Sequence, residues 1–286
     1  MSLVRVLKSS RVTLTHVFEV DGAATDADAG VTVHVRRLDG SDADGTPTGS
    51  ATHQSTGTYT WTLSPSAFLD TWTVDWSGAF GGAAVTVTDY VEIVGGFYFD
   101  LARTRSAFQI KPQVSTQDLA DYRTAVEQEC DDITMRSFVP RFARVKLSGN
   151  GRTLLDAGRR DLRDVRAVSV DGVAWDQDTV DAVGCLDDGT LARPGALVWP
   201  AGWGNIIVEF EYGQDYPPPS LSLACQTRLR SVLNRPGSGV PDRATSFTTP
   251  DGGVYRLSTP DRQHTGIPDV DAEYARHTRP RRAVVA

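Results

Sequence analysis

Alternating hydrophobic and polar residues dominate the first third of the chain. Valine, threonine and aromatic side chains occupy every second position over short stretches, which is typical of strands with one buried face. The clearest stretches are residues 12–20, 31–38, 56–63, 71–76 and 84–94. Each is bounded by Gly, Pro or Asp, so we predict about six or seven short strands over residues 3–94.

Turn residues at regular spacing between these strands predict an all-β, immunoglobulin-like sandwich for residues 1–95. Trp61, Trp72 and Trp76 fit the inward-facing positions, so we expect them in its core. The segment contains no cysteine, so the sandwich would be of the kind without a disulfide.

A helical period replaces the alternation after residue 115. The apolar positions of this first helix are Leu119, Tyr122, Val126, Cys130 and Ile133. Ser115 or Thr116 is suited to cap it, and Pro140 lies beyond its end. Its other face carries Asp121, Arg123, Glu127 and Asp131, which we expect to be solvated.

A second helix is predicted after the three prolines at 217–219. Its apolar stripe is formed by Leu221, Ala224, Cys225, Leu229 and Val232, with Arg228 and Arg230 off the stripe. Between the helices, residues 142–149, 164–175 and 205–213 read as strands, with an Asp-Gly turn at 171–172. We therefore predict a multidomain chain, in which residues 96–235 form an α+β domain.

Residues 236–286 form a tail in which Pro and Gly interrupt every regular pattern. Apolar side chains are nevertheless spaced along it, and we predict that they dock on a partner: Phe247, Tyr255, Leu257, Ile267, Pro268, Val270 and Tyr274. Residues 253–257 are suited to add a strand to a sheet edge. Residues 266–277 are suited to form a short helix with Asp269 as its cap. The alternative is a tail that packs on its own domain.

Charge and composition exclude several classes of protein. The chain of 286 residues has a net charge of −7 and a pI near 5.2, which argues against a protein that sequesters nucleic acid. Most of the net negative charge lies in residues 1–95. Three cysteines are too few for a disulfide framework, and we expect no signal peptide and no membrane span.

The sequence contains no recognisable catalytic or metal-binding motif. The five histidines lack metal-ligand spacing, and neither a GxSxG nor a Walker A pattern occurs. The segment DGSDADG at 39–45 lacks the first and last ligands of a calcium loop, so a solvated hairpin tip is favoured. We therefore expect no enzyme, no cofactor and no metal.

Residues 159–164 form a mixed charge cluster. Its members are Arg159, Arg160, Asp161, Arg163 and Asp164. One hypothesis is that these residues make salt bridges between subunits of an oligomer. The alternative is an ordinary exposed loop.

The segment NIIVEFEYGQDYPPPSLSLACQTRLRSVLN at 205–234 resembles the head-to-tail connector (adaptor) proteins of long-tailed phages, the siphoviruses. The helix at 117–135 followed by RSFVPRF at 136–142 looks like the first main helix of the same fold. The order of a sandwich, GGFYFDLAR, this module and a tail is similar to connectors from phages of actinobacterial hosts. The N-terminal sandwich is an addition to the minimal connector fold.

The resemblance implies a structural virion protein made in the bacterial host cytoplasm and located in the head–tail neck. Such proteins form a ring, typically a dodecamer, below the portal protein, and a stopper or tail terminator follows. Double-stranded DNA would pass through the lumen without sequence-specific binding. The tail anchors would then dock on the portal or on a neighbouring subunit.

Two other functions stay open at this point. The sandwich could serve a surface adhesin or glycan-binding protein, in which case exposed aromatic residues should lie at one of its ends. A tail-completion or stopper protein of the same neck would differ from a connector in its partner and not in its chemistry.

Overall fold

The structure is a computed structural model that describes residues 3–234, 246–248, 254–256 and 264–278. The described residues fall into two compact units. The β unit comprises Met1–Phe97 and Val139–Tyr216, and the helical unit comprises Tyr98–Phe138 and Pro217–Ala286. The two units differ in outline from the predicted domains 1–95, 96–235 and 236–286, which stay a prediction.

Two β regions make up the β unit. The strands of the first are β1 (Leu3–Leu7), β2 (Val12–Val17), β3 (Glu19–Val20), β4 (Ala23–Ala24), β5 (Thr32–Arg37), β6 (Thr48–Ser50), β7 (Thr52–Ser55), β8 (Thr58–Leu63), β9 (Asp70–Phe80) and β10 (Ala83–Val94). Those of the second are β11 (Arg141–Gly149), β12 (Leu154–Asp156), β13 (Leu162–Val170), β14 (Val173–Ala174), β15 (Gly184–Cys185), β16 (Thr190–Ala192) and β17 (Gly202–Tyr212). The second also contains helix α3 (Gln177–Asp181) and a short 3-10 helix at Pro194–Ala196.

Two sheets of the first β region share one hydrophobic core. One has the strand order β1-β10-β9-β5-β6 and the other the order β2-β8-β7. Trp72 and Trp76 are fully buried in this core, as predicted, and Trp61 packs against it while partly exposed. The β-rich, multi-sheet prediction is confirmed, and the immunoglobulin-like assignment stays a prediction.

Strands β9 and β10 form one long hairpin where the sequence predicted two shorter strands. Gly81 and Gly82 make the turn with φ of 57° and 80°. Glycine adopts these left-handed conformations without steric cost, and they match the twist of a tight hairpin. The small residues on both sides of the turn, as in Ser77–Ala79, hide the alternation that would have predicted the full length.

Two further sheets share the core of the second β region. The four-stranded sheet has the order β11-β17-β13-β14, and the three-stranded sheet the order β12-β16-β15. Trp199, Ile206 and Phe210 are fully buried between them. The predicted turn between β13 and β14 is present, since Asp171 and Gly172 both have positive φ, 51° and 80°.

A largely buried cluster of three charged side chains joins the two β regions. Arg5 of β1 lies opposite Glu92 of β10, and its Nε donates to a Glu92 carboxylate oxygen at 2.7 Å. Arg141 of β11 donates to the same oxygen at 2.9 Å. Burial alone would raise the pKa of the Glu92 carboxyl, but Arg141 and Arg5 outweigh burial and hold that pKa below its usual value.

The helical unit contains helices α1 (Leu101–Ala107), α2 (Thr116–Thr134), α4 (Pro219–Asn234) and α5 (Pro268–His277). Ser115 caps α2, as predicted, because its hydroxyl accepts from the Asp118 N–H while the Asp118 carboxylate accepts from the Ser115 N–H. The short strands β18 (Ser246–Thr248) and β19 (Val254–Arg256) pair antiparallel.

We predict that Glu92→Gln lowers the free energy of unfolding of the β unit by about 3–5 kcal/mol at neutral pH, because two buried guanidinium groups lose the ionised carboxylate that they share. The folded pKa of Glu92 is lowered, so the stabilisation is complete above the unfolded pKa, about 4.3. It is lost as the pH falls through the lower folded pKa. Urea unfolding followed by tryptophan fluorescence from neutral to acidic pH measures both effects.

Asp215→Asn is the matched control, because the Arg163–Asp215 ion pair at 2.8 Å is largely exposed. This substitution should lower the free energy of unfolding by about 0–1 kcal/mol. Equal losses in the two variants would contradict a special role for the buried cluster.

Candidate functional site

The predicted tail helix is present as α5, and two of its proposed anchors are buried inside the helical unit. Val270 and Tyr274 are 1% and 0% exposed. The Tyr274 hydroxyl lies 3.5 Å from the Cys225 sulfur of α4. This corrects their assignment as partner-docking residues, because side chains that fill the chain's own core are unavailable to a partner.

The other proposed anchors have different positions. Ile267 is half-buried and Pro268 is exposed, at the start of α5. Phe247 and Tyr255 are paired residues of the β18–β19 ladder. Leu257 lies outside the described residues. Partner docking by these five residues stays a prediction.

The predicted cap of α5 is wrong. Ile267 occupies the N-cap position without a side-chain hydrogen bond, and Pro268 is the first helical residue. Asp271, not Asp269, fixes the entering chain, since its carboxylate accepts from both the N–H and the hydroxyl of Thr265 at 2.9 Å.

Glu273 ties α5 to α4. Its carboxylate accepts a short hydrogen bond from the Ser220 hydroxyl and lies 2.9 Å from Arg276 and 3.0 Å from His277. The Ser220 hydrogen bond, with help from His277 and Arg276, lowers the pKa of Glu273. The carboxylate is therefore ionised at neutral pH and holds the last turn of α5 in place.

An ion pair that the sequence pattern missed joins α2 to α4. The Nε and one terminal nitrogen of Arg228 each donate to a Glu129 carboxylate oxygen at 2.8 Å. Arg228 is 7% exposed, although we had expected it off the apolar stripe. Its spacing from Leu221 and Ala224, seven and four residues, could have placed it on the buried face.

The face of α2 expected to be solvated is partly buried. Glu127 is fully buried and accepts from the Tyr98 N–H at 2.8 Å, and Arg123 is also buried. The Tyr98 hydroxyl donates to Asp131 and accepts from the Phe138 N–H at 2.9 Å. Burial of Glu127 and of the Tyr98 hydroxyl is tolerated because both have hydrogen-bond partners within the unit.

The predicted charge cluster is occupied by contacts within the chain. Arg163 pairs with Asp215 at 2.8 Å, and the Arg159 guanidinium lies over the Tyr212 ring at 5.5 Å. Asp161 takes a left-handed turn conformation, and its carbonyl accepts from the Gly213 N–H. A role for Arg159, Arg160, Arg163, Asp161 and Asp164 between subunits stays a prediction.

Four large apolar side chains of the second β region, in or near strands β14 and β17, are exposed. They are Val173, Leu197, Val198 and Trp203, which we name the Trp203 patch. A backbone hydrogen bond from the Asp171 N–H to the Asn205 carbonyl links the turn before Val173 to the strand that carries Trp203. Trp203 is 96% exposed, which is unusual for a large aromatic side chain. Such clusters on a protein surface mark interaction sites.

A groove of about 540 Å³ lies between α1 and α4 in the helical unit. Phe99, Phe108 and the exposed Leu223 supply its apolar lining, and Asp100 and Arg103 its charges. It is a second surface that a partner could cover.

Neither a metal-ligand cluster nor a membrane-spanning helix is present among the described residues. No group of three or more His, Cys, Asp or Glu side chains there is arranged to hold a metal ion. None of the helices found in those same ranges is long and apolar enough to cross a membrane.

Comparison with known proteins finds weak structural likenesses. Neither a protein-family model nor a curated protein matches the chain. It is similar to a solved structure of the neck of an empty GTA particle computed with C6 symmetry, at 14% identity and a TM-score of 0.43, covering 66% of this chain and 93% of that one. It is also similar to a DUF4785 family protein from Legionella pneumophila, at 8% identity and a TM-score of 0.23, covering 74% and 45%. Both TM-scores are below 0.5, so neither likeness assigns a function to this chain.

We predict that Arg228→Lys lowers the free energy of unfolding of the helical unit by about 1.5–3 kcal/mol, because an ammonium cannot make both hydrogen bonds to Glu129. Thermal unfolding followed by helical circular dichroism measures the loss. Arg230→Lys on the same helix is the control, since Arg230 is exposed, and it should change the value by less than about 0.5 kcal/mol. Similar losses in both variants would contradict the role of the ion pair.

Proposed function

We propose that this chain is a structural protein of a phage head–tail neck, a connector that forms a ring below the portal. The observation that carries the proposal is the segment 205–234. It resembles phage connectors in sequence, and it has the strand, proline loop and helix expected for that module, as β17, Pro217–Pro219 and α4. The first main helix of the module is also present, as α2, and the Arg228–Glu129 ion pair joins it to α4.

The proposed role requires no catalytic step and no cofactor. A ring, dodecameric by resemblance, would extend the DNA channel between the portal and a stopper or tail terminator. A net charge of −7 suits a protein past which DNA must move without sticking, because tight phosphate binding needs clustered Lys and Arg.

The Trp203 patch is the best-supported contact surface for such a ring. Neighbouring subunits in a ring contact each other through two different surface patches. Each subunit must therefore expose two patches that are complementary to each other. Tryptophan is enriched among the residues that contribute most to interface energy. We assign the patch to the contact with a second copy of this chain.

The second candidate function is an adhesin that binds glycans through the first β region. The positions of the aromatic residues in this region argue against that function. Trp72 and Trp76 are buried and therefore cannot stack on a sugar ring. Phe68 is an exposed aromatic residue of this region, and the Arg166 guanidinium already lies 5.2 Å from its ring centroid.

We predict that Trp203→Ser leaves the stability of the β unit within about 0.5 kcal/mol of the unchanged protein, because the side chain is already in solvent. The same change should weaken ring formation by about 2 kcal/mol per contact if the patch is an interface. Urea unfolding and sedimentation in the presence of portal rings measure the two effects. Tyr216→Ser, which removes another exposed aromatic residue, is the control. Normal ring formation by Trp203→Ser would exclude the patch from the interface.

Electron microscopy of this protein mixed with the portal ring encoded beside it tests the function itself. We expect a second ring stacked on the portal, with peripheral lobes from the first β region. A protein that binds only portal rings already carrying another ring would be a stopper. Bare portal rings would contradict the neck assignment and favour an adhesin, which a glycan-binding screen would then test.

A further inference from the structure

The backbone on both sides of Trp203 is held in an irregular conformation. The register of the β11–β17 pair shifts between Leu147 and Gly149. Gly204 has a φ of 58°, which glycine adopts without steric cost, and its N–H accepts a fixed position by donating to the Ser148 hydroxyl at 2.9 Å. Irregular pairing of this kind changes the direction in which a side chain leaves a sheet. The 96% exposure of Trp203 is therefore built into the strand pair that carries it.

The groove between α1 and α4 is suited to an apolar occupant. Its volume of about 540 Å³ is ample for one large side chain. Two hydroxyls in its lining already donate within the helical unit, from Ser222 to the Tyr98 carbonyl and from Thr104 to the Asp100 carbonyl, both at 2.6 Å. An apolar side chain that enters the groove therefore leaves neither hydroxyl without a partner.

Two charged residues of the groove match the chemistry of an indole ring. Asp100 is exposed, and its carboxylate accepts from the Arg103 N–H at 2.7 Å. The Arg103 guanidinium is also exposed and has no ion pair within the part of the chain that the structure describes. An indole offers an N–H donor to a carboxylate and an electron-rich face to a guanidinium, and tryptophan is the best side chain for the second contact.

We propose that Trp203 of one copy inserts into the α1–α4 groove of the neighbouring copy. This inference rests on the proposed function, because a ring needs two different surfaces on each subunit that fit each other. Trp203 belongs to the β unit and the groove to the helical unit, so the two surfaces are distinct. An aromatic side chain that fills a pocket is a common centre of interface energy.

The test mixes two full-length variants that each keep one of the two surfaces. Trp203→Ser keeps the groove, whereas Leu223→Arg blocks the groove at an exposed lining residue and keeps the tryptophan. In sedimentation velocity at high protein concentration, we expect oligomers of the unchanged protein and monomers of each variant alone. The equimolar mixture should give dimers and nothing larger, because only one of the two surfaces on each chain is intact.

Two further variants serve as controls. Leu186→Arg adds the same charge at an exposed leucine of the β unit and should associate like the unchanged protein. Arg103→Gln removes one charge from the groove and should weaken association by about threefold to thirtyfold. If Leu223→Arg loses its helical circular dichroism, Arg103→Gln replaces it in the mixture, which should then associate more weakly than a mixture of Trp203→Ser with Leu186→Arg.

Photo-cross-linking on portal rings examines the same contact in the assembled complex, and it decides the question if the unchanged chain is monomeric in solution. A benzophenone amino acid in place of Trp203 should cross-link to peptides from α1 or from the first two turns of α4. Mixing isotopically labelled and unlabelled chains should show that the two cross-linked peptides come from different copies.

Several outcomes would overturn the inference. Normal association of Leu223→Arg would exclude the groove, and a mixture without dimers beside an associating unchanged protein would exclude the pairing. Cross-links from position 203 to the portal or within one chain would exclude a neighbouring copy as the occupant. A ring with such cross-links overturns this inference alone, whereas bare portal rings overturn the proposed function as well.

Discussion

The largely buried carboxylate of Glu92 between Arg5 and Arg141 constrains the path of the whole chain. An ionised group in a low-dielectric interior must be paired, or the fold loses several kcal/mol. Arg5 comes from the first strand and Arg141 from the first strand of the second β region, 87 and 49 residues away from Glu92. The chain therefore leaves the β unit after Phe97 and must return at Val139 to complete the cluster. The β unit is thus one body built from two separate lengths of sequence.

The excursion between these two lengths forms much of the helical unit, and buried polar groups organise that unit as well. Tyr98 offers its N–H to Glu127 and its hydroxyl to Asp131 and the Phe138 N–H, so it fixes both ends of the excursion against α2. Arg228 then fixes α4 to α2 through Glu129. Hydrophobic burial supplies stability in both units, but directional hydrogen bonds to charged groups determine which helices become neighbours.

The difference between hydrophobic burial and directional hydrogen bonds explains how much of the fold could be predicted from the sequence. Local rules identified the main strands, both long helices, the Ser115 cap and the Asp-Gly turn, because each depends on neighbouring residues. The burial of Arg228 and Glu127 depends on partners 99 and 29 residues away, which no local pattern contains. The role of the proposed docking residues in the tail was still harder to predict from the sequence. An amphipathic helix such as α5 has the same pattern whether it packs on its own chain or on a partner, so Val270 and Tyr274 were misassigned.

That correction changes how the chain would bind its neighbours. Removing residues 236–286 would not be neutral, because it would strip α5 from α2 and α4 and expose Cys130 and Cys225. Binding through a segment that must first become ordered costs conformational entropy, whereas a surface mounted on a sheet is already in place. The Trp203 patch is such a surface, since backbone hydrogen bonds fix the segments around it. A ring assembled through that patch would need little reorganisation of each subunit, and Ile267 and Pro268 would add contacts only beside a helix that is already docked.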